Sequence, residues 1–216
     1  MNVLIVSATV IEVTPFLEIF RTKKGLPARL ETDMLVTGIG LTAATYSLAK
    51  QLAIKKPDLV IQAGVGGCFD TGIPLGTVLA VRKEAIADQS VIELNRLKTM
   101  FDLALVPQDQ HPFSKGWLLN KNDLLKKTKL KKVTGISVNE ITTSRQKIKF
   151  YKETFNPVVE SMEGAALHYV CLMEKIPFIQ IRSISNYIGE RNKKNWNMKE
   201  SIINLNQQLY SLLNIL

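Results

Sequence analysis

Val159-Glu160-Ser161-Met162-Glu163-Gly164-Ala165-Ala166, taken with Ile181-Arg182-Ser183-Ile184-Ser185-Asn186, is the stretch on which the fold turns. In each piece an apolar run ends in a polar cluster, as where parallel α/β sheets present reactive groups at their strand ends. The first piece then passes into small residues suited to a helix start. Two carboxylates and an amide at such ends predict a pocket rather than a charged surface.

Working outward, Val3 to Ser7, Met34 to Thr37, Leu59 to Ala63, Thr77 to Val81, Val133 to Ser137 and Pro177 to Ile184 are short apolar runs bounded by turn residues. Their continuous hydrophobicity predicts strands buried on both faces. Helical spacing falls between them at Leu41 to Ile54, Gly164 to Glu174 and Lys199 to Leu213, the last with Ile202, Leu205, Leu209 and Leu212 in register. This alternation predicts an α/β fold with a central, mostly parallel mixed sheet flanked by helices in three layers. No repeat, low-complexity tract or linker divides the chain, so residues 1–216 are read as one domain. Gln108 to Lys115 reads as a surface loop able to cover a pocket.

With 216 residues, 46% hydrophobic and 22% charged, the chain has ample material for a core. Cys68 and Cys171 form neither a CxxC pair nor a disulfide frame, which predicts reduced thiols and a cytoplasmic location. No apolar stretch approaches a membrane span, and Asn2 to Val6 lacks the basic flank and cleavage site of a leader. The net charge of +9 favours anionic partners. Much of the excess sits at Lys121, Lys126, Lys127, Lys129, Lys131 and Lys132, with leucines between. That pattern predicts a solvated amphipathic helix rather than a nucleic-acid surface.

Glycines mark close approach of the backbone. Gly38-Ile39-Gly40 and Gly64-Val65-Gly66-Gly67 each follow a strand and read as turns that admit a ligand. Neither supplies GxGxxG or the Lys-Ser/Thr ending of a P-loop, so no dinucleotide or nucleoside triphosphate is expected. His111 and His168 are too few and too dispersed for a metal motif, and no GxSxG elbow is present. Neither metal nor cofactor is expected.

In order along the chain, Ala8-Thr9-Val10-Ile11-Glu12-Val13, Gly64-Val65-Gly66-Gly67, Val159 to Ala166 and Arg182 to Asn186 resemble the purine nucleoside phosphorylase and nucleosidase superfamily. Within it, Ser183-Ile184-Ser185-Asn186-Tyr187-Ile188-Gly189-Glu190-Arg191 is similar to the futalosine hydrolases. The resemblance implies hydrolysis of the N-glycosidic bond of futalosine, a nucleoside of menaquinone biosynthesis, with release of hypoxanthine. It also implies a homo-oligomer.

The same resemblance assigns roles. Glu12 orients and activates water; read alone, it is a first-turn carboxylate favoured by the helix dipole. Glu163 accepts from sugar hydroxyls and opposes the positive charge developing at C1′. Met162 packs against the ribose, and Gly64, Val65, Gly66, Ile141 and Ser185 complete the substrate-binding set. Glu160 reads as structural, either holding the site or standing as a solvated or salt-bridged acid. Asn186 occupies a position where related adenosine-type nucleosidases carry aspartate. Its amide offers a donor to a 6-oxo group and an acceptor to a protonated N7, a pattern suited to hypoxanthine. Val65 stands where many relatives place a small polar residue near phosphate, and it favours water as the nucleophile. Arg191 offers a counter-charge to the distal carboxylate of futalosine.

Other readings stay open at this point. They are a purine nucleoside phosphorylase, a methylthioadenosine/S-adenosylhomocysteine nucleosidase, and a nucleoside-binding module without turnover.

Overall fold

In the computed structural model, which describes residues 1–22 and 27–216, strands and helices alternate as β1 (Asn2–Ser7), α1 (Val10–Thr22), β2 (Glu31–Val36), α2 (Leu41–Ile54) and β3 (Leu59–Cys68). There follow β4 (Val78–Ile86), β5 (Ser90–Glu93), β6 (Arg96–Thr99), β7 (Leu118–Leu119), α3 (Leu124–Lys127), β8 (Lys132–Ser137) and α4 (Arg145–Phe155). The chain closes with β9 (Val159–Ser161), α5 (Gly164–Met173), β10 (Phe178–Tyr187) and α6 (Met198–Asn214).

One eight-stranded mixed sheet carries the architecture. The β2, β1, β3 and β10 strands lie side by side in parallel. The sheet then continues through β4, β8 and β9, and β9 returns to pair antiparallel with the end of β3. Thus β3, β10, β4, β8 and β9 close into a ring, with β1 and β2 as a lateral extension. The closure is possible because β3 spends one edge twice. Its first half pairs with β1 at Leu59–Gln62, and its last two residues, Gly67 and Cys68, pair with β9.

Helices cover both faces. Val13 and Phe16 of α1 and Leu205, Leu209, Leu212 and Leu213 of α6 pack on Ile5, Ile61, Ile179 and Ile181. On the opposite face, Leu48 and Leu52 of α2 and Leu167, Val170 and Cys171 of α5 pack on Leu4, Val6, Val60 and Phe178. The alternation of these side chains along β1, β3 and β10 explains why those strands read as unbroken apolar runs.

Two local expectations are corrected. Gly64 to Gly67 lies inside β3 rather than in a turn, and none of these glycines has a positive φ, unlike Gly38 (84°) and Gly40 (92°). Their role is space. The lysine-rich segment holds only the single helical turn α3, and Lys132 already belongs to β8. The loop around His111 to Ser114, read as able to cover a pocket, lines a cavity with Cys171, Lys175 and Pro177.

Candidate active site

The C-terminal ends of β1, β3 and β10 and the β9–α5 junction open onto one cavity of about 410 Å³. It gathers Glu12, Val65, Gly66, Ile141, Met162, Glu163, Ser185 and Asn186, residues spread over most of the chain. Gly64 is not in its wall but lies directly behind it.

Glu12 is placed by a helix start. Thr9-Val10-Ile11-Glu12 has the spacing of a capping box, and the Glu12 Oε2 accepts from the Thr9 amide (3.0 Å), the Thr9 hydroxyl (3.0 Å) and the Ser7 hydroxyl (3.0 Å). Oε1 accepts from the Val65 amide at 3.0 Å, which ties α1 to β3. One lone pair of Oε1 therefore stays open for a ligand. Pro15 disturbs the preceding helical turn, and Asn206 of α6 bridges it, donating to the Glu12 carbonyl (2.8 Å) and accepting from the Phe16 amide (3.1 Å). The carboxylate is held from both ends.

Glu163 stands at the N-terminus of α5 without capping it. Hydroxyls do that work: Ser161 Oγ accepts from the Gly164 amide (3.2 Å) and Ser137 Oγ from the Ala165 amide (2.8 Å). The Glu163 carboxylate is free to face the cavity, where Oε1 accepts from the Gly40 amide at 3.1 Å. Its Oε2 lies 3.5 Å from Arg182 Nη1 in an ion pair with both side chains almost fully buried.

Arg182 is the residue that sequence reasoning quoted without giving it work. Its side chain is 1% exposed and donates to Gln62 Oε1 (2.8 Å) and the Val65 carbonyl (3.4 Å). A Cβ on Gly64 would stand 2.3 Å from Arg182 Nη1 and 3.1 Å from Glu12 Oε1. The missing side chain at Gly64 is what lets the guanidinium lie under the floor of the site, against the backbone between the two acids. The signal available in sequence was an arginine inside an otherwise apolar strand, since a charge there needs a partner.

Asn186 owes its position to a bulge. Along the β10–β3 pair, Ile184 faces Gly66 and Asn186 faces Gly67, so Ser185 is the extra residue. The Asn186 Oδ1 accepts from the Ser185 hydroxyl (2.9 Å) and Nδ2 donates to the Tyr187 carbonyl (3.1 Å). One amide hydrogen and one lone pair remain for a ligand.

Glu160 is neither solvated nor salt-bridged. It is 5% exposed in the cavity wall, and Oε1 accepts from the Thr142 amide at 3.1 Å. Burial pushes its carboxyl above the usual range, against the Thr142 hydrogen bonding that lowers it. Behind the site, burial pushes Glu84 up to about 8, and its Oε1 accepts from Ser137 Oγ at 3.1 Å. His168 is fully buried, its Nδ1 lies 3.0 Å from the Leu118 carbonyl, and burial pushes it down to about 4. It is not a cavity residue. Trp196 and Arg191 line the outer part of the cavity, with the guanidinium 5.7 Å from the indole ring centroid.

Known proteins resemble this chain throughout. Futalosine hydrolase of Thermus thermophilus is 27% identical over 182 residues, 83% of this chain and 80% of that protein. The 5′-methylthioadenosine/S-adenosylhomocysteine nucleosidase of Buchnera aphidicola subsp. Schizaphis graminum is 28% identical over 167 residues, 73% of this chain and 67% of its own. The solved structure of futalosine hydrolase of Helicobacter pylori superposes over 100% of this chain and 98% of its own with a TM-score of 0.80 at 20% identity, a likeness of fold. A family model described as the Phosphorylase superfamily matches residues 20–215, and the chain belongs to that superfamily.

Proposed function

We propose that the protein is an N-glycosyl hydrolase that splits a purine nucleoside with water, with futalosine as its substrate and hypoxanthine as the leaving base. The observation that carries this reading is the gathering of Glu12, Glu163 and the Asn186 amide in the wall of a single cavity. Such a reaction needs a base for water, an acceptor for the sugar hydroxyls beside the cationic C1′, and donors for the departing purine.

Glu12, immobilised by four donors, keeps one lone pair on Oε1 with which to take a proton from water. Glu163 has the Gly40 amide and Arg182 to orient it, so its outward lone pairs are directed at the sugar. Asn186, anchored through Ser185 and Tyr187, offers its remaining N–H to O6 and its remaining lone pair to a protonated N7. Val65 presents an apolar side chain in the wall, which favours water over phosphate. The relatives named as hydrolases and nucleosidases support the same reaction class.

The second reading is a 5′-methylthioadenosine/S-adenosylhomocysteine nucleosidase, favoured by the similarity to proteins so named. Purified protein incubated with futalosine, inosine and methylthioadenosine, with and without phosphate, separates the two. Release of hypoxanthine from futalosine without phosphate is expected. Release of adenine from methylthioadenosine with futalosine left intact would overturn the futalosine assignment and keep the hydrolase; a phosphate requirement would overturn the hydrolase.

A further inference from the structure

Behind the site lies a closed polar cluster that the proposed chemistry leaves unused. Glu84 of β4, Gln180 of β10 and His168 of α5 are all fully buried, with Gln180 in hydrogen-bonding reach of the other two. Among the described residues, Glu84 Oε2, both polar atoms of the Gln180 amide and His168 Nε2 have no partner outside this group. Two glycines make the room. A Cβ at Gly135 would stand 2.5 Å from Glu84 Oε2, and one at Gly164 would stand 2.6 Å from the same oxygen and 2.4 Å from Gln180 Nε2. Gly164 directly follows Glu163, so the cluster rests against the backbone that carries the proposed sugar acceptor.

Donors and acceptors along the chain fix where its protons sit. The Leu118 carbonyl can only accept, so His168 Nδ1, 3.0 Å away, carries the ring proton. A neutral imidazole then has only a lone pair at Nε2, which Gln180 must meet with its NH₂. The two ends of a primary amide have nearly the same shape, so hydrogen bonding rather than fit decides which faces which. The Gln180 oxygen is left for Glu84, where only a protonated carboxyl can donate to it. Glu84 Oε1 meanwhile accepts from Ser137 Oγ at 3.1 Å. Every group is then paired and none is charged. The reverse amide orientation demands an imidazolium and a carboxylate sealed from water, and burial opposes both charges.

We propose that Glu84 is a positioning residue for Glu163: as the un-ionised hydrogen donor that ends the chain through Gln180 and His168, it leaves the charge of Arg182 to Glu163. This rests on the reading that Glu163 faces the sugar. Arg182 of β10 and Glu163 at the start of α5 are the charged groups that act on Glu84, the first favouring a carboxylate there and the second opposing it. His168 stands beyond Gln180, and Lys83, next to Glu84 on β4, lies over the Trp117 ring, 3.9 Å from its centroid. A deprotonated Glu84 would compete for the buried guanidinium, and Glu163 would lose the hold that Arg182 gives it at 3.5 Å. Burial keeps the Glu84 proton in place up to about 8, so the site is set at neutral pH and slackens above it.

Carboxyl-carbon and imidazole-nitrogen NMR test this without turnover. In the unmodified protein the Glu84 carboxyl signal is expected to titrate at about 8, and the Glu163 carboxyl signal to move with the same midpoint. His168 is expected to remain the neutral Nδ1–H tautomer from about pH 6 to 8. In Glu84→Gln, whose NH₂ takes the place of the carboxyl O–H, the Glu163 signal is expected to stay flat over that range. An imidazolium at His168 near neutral pH, or a Glu163 signal indifferent to the Glu84 titration, overturns the proposal; both are read on the unmodified protein, so they decide even if the variant does not fold. Kinetics adds a readout that a merely structural carboxyl would not move. With the cleaved nucleoside, kcat/KM is expected to fall about 10-fold per pH unit above about 8 in the unmodified enzyme and to hold to higher pH in Glu84→Gln. An identical alkaline limb in the two proteins overturns it as well. Coupled Glu84 and Glu163 signals in a protein that leaves futalosine intact would sink the substrate assignment and leave this inference standing.

Discussion

Glu12→Gln is the sharpest perturbation of the proposed chemistry, because the structure dictates how the amide must sit. Three donors converge on Oε2 and one on Oε1, all at 3.0 Å. Glutamine keeps the three by turning its oxygen toward Ser7 and Thr9, so its NH₂ meets the Val65 amide, donor against donor. One buried mismatch of this kind costs about 1–3 kcal/mol. For a chain of this size that is a fall in Tm of about 2–4 °C per kcal/mol, small enough to leave a folded protein. Turnover suffers far more. Loss of a positioned general base lowers kcat by about 10²- to 10⁴-fold. The assay is hypoxanthine release from futalosine, run beside a thermal melt and hypoxanthine binding. Bound base with lost turnover separates an enzyme from a mere nucleoside-binding module. A folded Glu12→Gln protein that turns over within threefold of the unmodified enzyme would refute the role given to Glu12.

Other perturbations have equally definite outcomes. Gly64→Ala puts a methyl 2.3 Å from a pinned guanidinium and 3.1 Å from Glu12 Oε1, so a loss of about 1–3 kcal/mol in urea unfolding and at least ~100-fold in kcat is expected. Arg182→Lys cannot span Gln62, Val65 and Glu163 with one ammonium; it should raise KM for the nucleoside and destabilise the fold, both visible in steady-state kinetics and melts. Asn186→Asp should raise the ratio of adenine to hypoxanthine release from paired 6-amino and 6-oxo nucleosides by ~10-fold or more. The pH dependence of stability has two limbs. Glu84 rises from 4.5 to about 8 on folding, so its contribution is complete below 4.5 and is lost as pH climbs toward 8. His168 falls from 6.5 to about 4, so its contribution is complete above 6.5 and is lost as pH drops toward 4. Between 4.5 and 6.5 the two oppose each other, which predicts a flat stretch in urea stability there, and Glu84→Gln should remove the decline between 6.5 and 8.

The alternation of buried strands and helices was legible because Leu59 to Ala63 and Phe178 to Ile184 lie between two helical layers and carry apolar side chains on both faces. The α2 helix runs over the residues predicted, from Leu41 to Ile54. Elements stabilised by distant partners were not. Pro15 masks α1, whose middle is repaired by Asn206 nearly two hundred residues away. The α4 helix buries only Phe150, Tyr151 and Phe155 among charges, although Ser144 as N-cap and Asn156 at φ 44° mark its ends. The site residues were readable as polar ends of apolar runs. Their geometry was not, since the work of Gly64 and Arg182 exists only where β3 and β10 lie side by side, and the bulge at Ser185 only where β10 meets β3.

That bulge divides one strand into two instruments. Before it, Arg182 is tied to Gln62, the Val65 carbonyl and Glu163; after it, the Asn186 amide is held by Ser185 and Tyr187. On the proposed function, an ancestral sequence could exchange the base it reads by changes beyond residue 185 while the half proposed to break the bond stayed as it was. The irregularity is a joint along which new specificities can be tried without rebuilding the enzyme.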